Sequence, residues 1–165
     1  MNILVTGGAG YIGSHTCVVL LEAGHDVTVI DNLCNSSAIA LERVQELAGR
    51  TLRFVDGDIR NRNDLGRAFE RGIDAVIHFA ALKAVGESCE QPLAYFDNNI
   101  GGTITLMQAM EAHGVDRLVF SSSATVYGDA ETVPVREDAP LQVTNPYGRT
   151  KLVMEQLIGD WCKAR

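Results

Sequence analysis

Basic residues are scarce in this sequence: 14 Lys and Arg stand against 21 Asp and Glu, giving a formal charge of −7 and an isoelectric point near 5.0. That deficit removes the broad basic face that nucleic acids and anionic membranes reward, so neither is expected as a partner. A small anion would have to be held by local geometry. No apolar run is long enough for a membrane span or a signal segment, and Met1-Asn2 leads at once into a strand pattern, so no export is expected. Cysteine occurs four times, as Cys17, Cys34, Cys89 and Cys162, without a CxxC or the spacing of a metal knuckle. These read as reduced thiols of a cytoplasmic protein, with no metal site. Internal repeats, low-complexity tracts and linkers are also missing.

What is present is a chain of 165 residues, 46% hydrophobic, close to the size of one domain with one core. Short apolar runs at 3–6, 27–30, 52–55, 75–79 and 118–121 alternate with helix-period stretches at 12–23, 38–47, 62–71 and 92–112. Strands that read as continuous apolar runs, separated by helices, predict a parallel sheet covered on both faces. The right-handed crossover rule makes it an α/β fold, a Rossmann-type doubly wound parallel sheet. After the fifth strand, residues 122–144 are rich in turn formers and acids. A last helix is then expected from Asn145-Pro146, with Asn145 as its cap and Pro146 in its first position, running to the chain end at Arg165.

The run Gly7-Gly8-Ala9-Gly10-Tyr11-Ile12-Gly13 places Gly7, Gly10 and Gly13 where the first strand must turn into a helix. Missing side chains let backbone N–H groups approach a pyrophosphate, and the helix dipole adds to the attraction. The second strand ends in Asp31, about 20 residues beyond that loop, where a carboxylate accepts from a ribose 2′-hydroxyl and repels a 2′-phosphate. The pair predicts a dinucleotide, and NAD over NADP. Asp58, in Gly57-Asp58-Ile59, could accept from an adenine amino group or cap a turn, and Phe79, with Ala80 and Ala81, could lie under the cofactor or belong to the core.

Tyr147 and Lys151 stand at i and i+4 on the expected last helix and so share a face. A lysine ammonium near a phenol favours the phenolate, which can exchange a proton with a sugar hydroxyl. Ser123, just past the fifth strand, could hydrogen-bond the reacting oxygen or relay its proton; in isolation, such a serine more often satisfies loop backbone.

Taken together, Thr6 to Ser14 with His15, Asp31-Asn32-Leu33-Cys34-Asn35-Ser36, Leu82-Lys83-Ala84-Val85-Gly86-Glu87-Ser88, Tyr95-Phe96-Asp97-Asn98-Asn99 and the run from Ser121 to Gly128 resemble the extended short-chain dehydrogenase/reductase family, and within it the UDP-galactose 4-epimerases. The resemblance covers nearly the whole chain. It implies NAD held by Gly7, Gly10, Tyr11, Ile12 and Gly13 at the pyrophosphate and by Asp31, Asn32, Leu33, Cys34, Asn35 and Ser36 around the ribose. Asp58 and Ile59 would flank the adenine, with Phe79, Ala80, Ala81, Lys83, Asn98 and Ser121 along the cofactor. Ser123, Tyr147 and Lys151 would be catalytic, Tyr147 and Lys151 also touching NAD, while Lys83, Ser123 and Tyr147 would meet the UDP-sugar. The implied reaction oxidises the sugar at C4, lets the 4-ketose turn over and reduces it on the other face, interconverting UDP-galactose and UDP-glucose. A cytoplasmic homodimer is implied for the full-length protein.

Two features depart from the family pattern. Ala81 stands where many epimerases carry glycine, and the chain has about half the family's length, so residues 1–165 are expected to be an incomplete NAD-binding domain without a C-terminal substrate domain. A rival reading is therefore an NAD-binding module without turnover. Another is a nucleotide-sugar 4,6-dehydratase or decarboxylase, but dehydratases carry an acidic pair where this chain has Ala124 and Thr125.

Overall fold

The computed structural model describes residues 1–164. The chain divides into two compact units, Met1–Ala80 with Ile104–Ser121, and Ala81–Thr103 with the residues from Ser122 onward. The first holds a five-stranded parallel sheet of β1 (Asn2–Thr6), β2 (Asp26–Asp31), β3 (Arg53–Asp56), β4 (Ala75–His78) and β5 (Leu118–Phe120), in the order β3-β2-β1-β4-β5. Between the strands run α1 (Tyr11–Glu22), α2 (Ile39–Ala48) and α3 (Arg62–Phe69). This is the doubly wound sheet expected, with strand ends within one or two residues.

Central β1 explains why the apolar runs do not alternate: Leu4 and Val5 are wholly buried and Ile3 nearly so, because both faces of the sheet are covered. Leu4 pairs in register with Thr28 of β2 and Val76 of β4. Cys17 and Leu21 of α1 and Leu41 and Val44 of α2 close over Ile3, Val5, Val27 and Val29. The strand order reverses between β1 and β4, and it is at the carboxyl end of such a reversal that open sheets receive ligands. There Thr6 Oγ1 and His78 Nδ1 share a buried hydrogen bond of 2.6 Å, and the Ala80 N–H donates to Thr6 Oγ1 at 3.2 Å. This clamp ties β1 to β4 at the switch point.

The second unit contains α4 (Val85–Glu90), α5 (Pro92–Tyr95), a π-helical segment (Phe96–Gly101), the start of α6 (Gly102–Ala112), a 3₁₀ turn (Ala124–Tyr127) and α7 (Pro146–Lys163). The expected helix over 92–112 is thus interrupted by a π segment, which hydropathy periodicity does not register. Helix α4 and the 3₁₀ turn were not expected. Helix α7 begins as its sequence dictates: Asn145 Oδ1 accepts from the Gly148 N–H at 2.8 Å, and Pro146 occupies the first turn. Arg165, where that helix was expected to end, lies outside the described residues.

Candidate functional site

In the first unit the glycine loop is shaped by contacts that side chains would obstruct. Gly7 sits at φ +69°, and a Cβ there would lie 2.6 Å from the Ala80 nitrogen; one on Gly8 would lie 2.7 Å from the Val29 methyls. A Cβ on Gly13 would run into the Gly7 carbonyl oxygen and come within 2.8 Å of Gly8 Cα. The loop is therefore pressed onto β2, β4 and its own helix. Gly10 precedes α1 with no side-chain cap, and the first turn carries no acid. The N–H groups of Tyr11 and Ile12 have no protein acceptor among the described residues, and both side chains are exposed. Open N–H groups at a positive helix end, approached through glycines, fit a pyrophosphate.

Asp31 ends β2 buried, and its carboxylate already holds three donors. Oδ2 accepts from the Ala9 N–H at 3.0 Å, while Oδ1 accepts from the Leu33 N–H and the Ser36 hydroxyl, each at 2.9 Å. A carboxylate has about four acceptor positions, so room remains for a ribose hydroxyl. The turn it makes holds Leu33 at φ +57°, a left-handed conformation that a branched side chain adopts only under constraint. Asn32, Cys34 and Asn35 are exposed beside it.

Asp58 is more fully engaged than the sequence suggested. Its oxygens take the backbone N–H, Nε and Nη2 of Arg60 at 2.8, 3.0 and 2.7 Å and the Asn32 amide at 3.0 Å. The Arg60 guanidinium holds its carboxyl down to about 2, against the opposing effect of burial. Four donors thus already share the Asp58 carboxylate, so an adenine amino group would join or compete with Arg60 and Asn32 there, next to buried Ile59.

In the second unit α7 carries Tyr147 half-buried and Lys151 only 4% exposed. Burial pushes the Lys151 ammonium down to about 8, and Glu155 one turn on pulls it back up. The helix start is pinned by residues the sequence reading did not single out. Buried Ser88 accepts from the Tyr147 N–H at 3.2 Å and donates to the Val85 carbonyl at 2.6 Å. Asn99, on the π segment, accepts from the Leu82 N–H at 2.8 Å and donates to the Leu82 carbonyl and to Thr150 Oγ1, each at 3.0 Å. Thr150 in turn donates to the Tyr147 carbonyl at 2.7 Å. Asn98 donates to Asn99 Oδ1 at 3.0 Å. Ser123 caps the 3₁₀ turn, and a Cβ on Gly148 would lie 2.9 Å from the Thr125 carbonyl oxygen, so α7 and that turn meet backbone to backbone. Lys83 is exposed, Ala81 and Phe79 are half-buried, and the Ser121 N–H donates to the His78 carbonyl at 3.2 Å.

Among the described residues no group of His, Cys, Asp or Glu could hold a metal ion, and no helix is long and apolar enough to cross a membrane. All four cysteines are free, Cys17 being buried.

The chain is similar to known proteins over nearly its whole length. The chain is 59% identical over 161 residues to UDP-glucose 4-epimerase of Bacillus subtilis, covering 97% of this chain and 48% of that protein. It is 57% identical to the enzyme of the same name from Dictyostelium discoideum, covering 98% and 47%. Among solved structures, UDP-glucose 4-epimerase of Bifidobacterium longum in complex with NAD+ and UDP superposes with a TM-score of 0.97 at 48% identity, covering 99% of this chain and 50% of that one. The chain therefore spans about half the length of the relatives it matches. The NAD dependent epimerase/dehydratase family matches residues 3–165, and the chain belongs to that family.

Proposed function

We propose that this chain is the NAD-binding portion of a UDP-glucose 4-epimerase, and that the whole protein interconverts UDP-galactose and UDP-glucose. The observation that carries the reading is the high identity, over nearly the entire chain, to proteins of that name. The residues support it. Gly7, Gly10 and Gly13 with the open N–H groups of Tyr11 and Ile12 would take the pyrophosphate, and Asp31, Asn32, Leu33, Cys34, Asn35 and Ser36 the adenosine ribose. Asp31 disfavours a 2′-phosphate, so NAD is the cofactor. Asp58 and Ile59 would border the adenine, and Phe79, Ala80, Ala81, Lys83, Asn98 and Ser121 the rest of it.

Bound NAD supplies reversible hydride exchange at C4 of the sugar. Tyr147, as phenolate, takes the proton of the sugar 4-hydroxyl and later returns it. Lys151 holds that phenolate with a charge kept poised near neutrality by burial. Ser123 hydrogen-bonds the same sugar oxygen, and Lys83 would contact the substrate from its exposed position. Ala124 and Thr125 offer no acid for removing a C5 proton, which favours epimerisation over elimination. The reduced cysteines favour a cytoplasmic setting, and a homodimer is expected by sedimentation. A coupled assay of UDP-galactose conversion to UDP-glucose decides the matter: turnover on the order of 1–10³ s⁻¹ by the protein carrying this sequence supports the reading. A protein that binds NAD and releases no UDP-glucose sinks it.

A further inference from the structure

Ser123 could serve an epimerase in two ways, as a donor to the reacting oxygen or as a relay that accepts the sugar proton and hands its own to Tyr147. Its surroundings distinguish them. A serine oxygen has one O–H and two lone pairs. The Thr125 N–H donates to Ser123 Oγ at 3.2 Å, and the Thr125 hydroxyl donates to the same atom at 2.9 Å. Both lone pairs are thus taken, and neither hydroxyl makes another hydrogen bond among the described residues. The reverse polarity, Ser123 donating to Thr125, would turn the Ser123 proton away from the sugar oxygen and leave the Thr125 proton without an acceptor among the described residues. The backbone of α7 packs close on that side, where a Cβ on Gly148 would lie 3.3 Å from Thr125 Oγ1.

We propose that Thr125 is a positioning residue that fixes the Ser123 hydroxyl as a donor to the sugar oxygen, so that the proton passes from sugar to Tyr147 directly and not through Ser123. The inference rests on the epimerase reading above. In this step the sugar O–H breaks and its proton goes to the Tyr147 phenolate oxygen. The C4–H electron pair leaves as hydride to the nicotinamide, and the new C4=O accepts the Ser123 O–H. A relay would require Ser123 to accept from the sugar with a lone pair it does not have free.

Neutron diffraction from the deuterated protein tests the polarity without any turnover. The Thr125 deuteron is expected on the line to Ser123 Oγ and the Ser123 deuteron pointing away; a Ser123 deuteron aimed at Thr125 overturns the proposal. In the assay, Thr125→Val, which keeps the shape and drops the hydroxyl, should lower kcat about tenfold with KM nearly unchanged, and Thr125→Ser should restore it. In a Ser123→Ala background, Thr125→Val should cost nothing further. Wild-type kcat in Thr125→Val, or the full tenfold loss repeated without the serine, rejects the positioning role. Absence of turnover in the unaltered protein would instead refute the epimerase reading, while the deuteron positions still decide the polarity.

Discussion

The two units work by opposite means. In the first, the groups offered to a ligand belong to the backbone: glycines at 7, 10 and 13 remove side chains, and on the proposed reading the open N–H groups of α1 would do the binding. In the second, side chains would carry the chemistry, and Asn99, Ser88, Thr150 and Thr125 hold the backbone of α7 and the 3₁₀ turn in place for them. A backbone site is lost by adding atoms, a side-chain site by removing them.

That contrast can be broken at several points. The largest effect is expected at Tyr147: Tyr147→Phe should lower kcat by about 10³-fold or more while NAD, measured by its absorbance after gel filtration, stays bound. NAD lost in step with activity would erase the distinction between the units. Asn99→Leu should come next, destabilising the protein by about 3 kcal/mol in denaturant titration, since it leaves the half-buried Leu82 N–H and carbonyl without partners and takes from Thr150 Oγ1 its donor. A change under about 1 kcal/mol would show that the network does not hold the helix. Asp31→Ala should weaken NAD about tenfold and narrow its advantage over NADP, read by titration calorimetry, because a charged hydrogen bond to the ribose is lost. An unchanged ratio of the two affinities would make Asp31 a loop fastener alone.

The smallest effect concerns pH. The Lys151 pKa is depressed to about 8 by burial, so its charge is lost as pH rises through that value, and kcat should fall on the alkaline side. Folding stability should move the other way: between about 8 and the ordinary 10.5 the unfolded chain binds the proton the folded one has released, so stability rises with pH across that window. Glu155 raises the lysine's pKa, so Glu155→Gln should bring the alkaline limb about 0.3 pH lower. A limb that moves upward would reverse the assigned role of Glu155.

What could be read from the sequence is what lies close together in it. The glycine loop, Asp31 at the end of β2, the Asn145-Pro146 start of α7 and the Tyr147/Lys151 spacing are local patterns, each with its own geometry. Thr6 with His78, Asn99 with Thr150 and Ser88 with Tyr147 are joined across 72, 51 and 59 residues, and nothing in their neighbourhoods announces the pairing. Asp58 shows the opposite difficulty. Its position fits an adenine contact, but Arg60 two residues later and Asn32 from another strand end occupy it, and only the folded geometry reveals that. The π segment escaped notice because hydropathy periodicity does not reveal the shift in hydrogen-bond register across Phe96 to Gly101.

The Asp31 carboxylate fastens Ala9, Leu33 and Ser36 with the same group that would meet the ribose. Cofactor preference and loop shape are thereby one variable in this chain. Redirecting it toward a phosphorylated dinucleotide would take more than a neutral or basic residue at 31. New acceptors would be needed for the Ala9 and Leu33 N–H groups, and if the turn is to be kept without the Asp31 carboxylate, a residue at ease with positive φ, such as glycine, would suit position 33. A substitution at 31 alone would therefore loosen the loop before it changed the preference, for reasons of folding as well as of recognition.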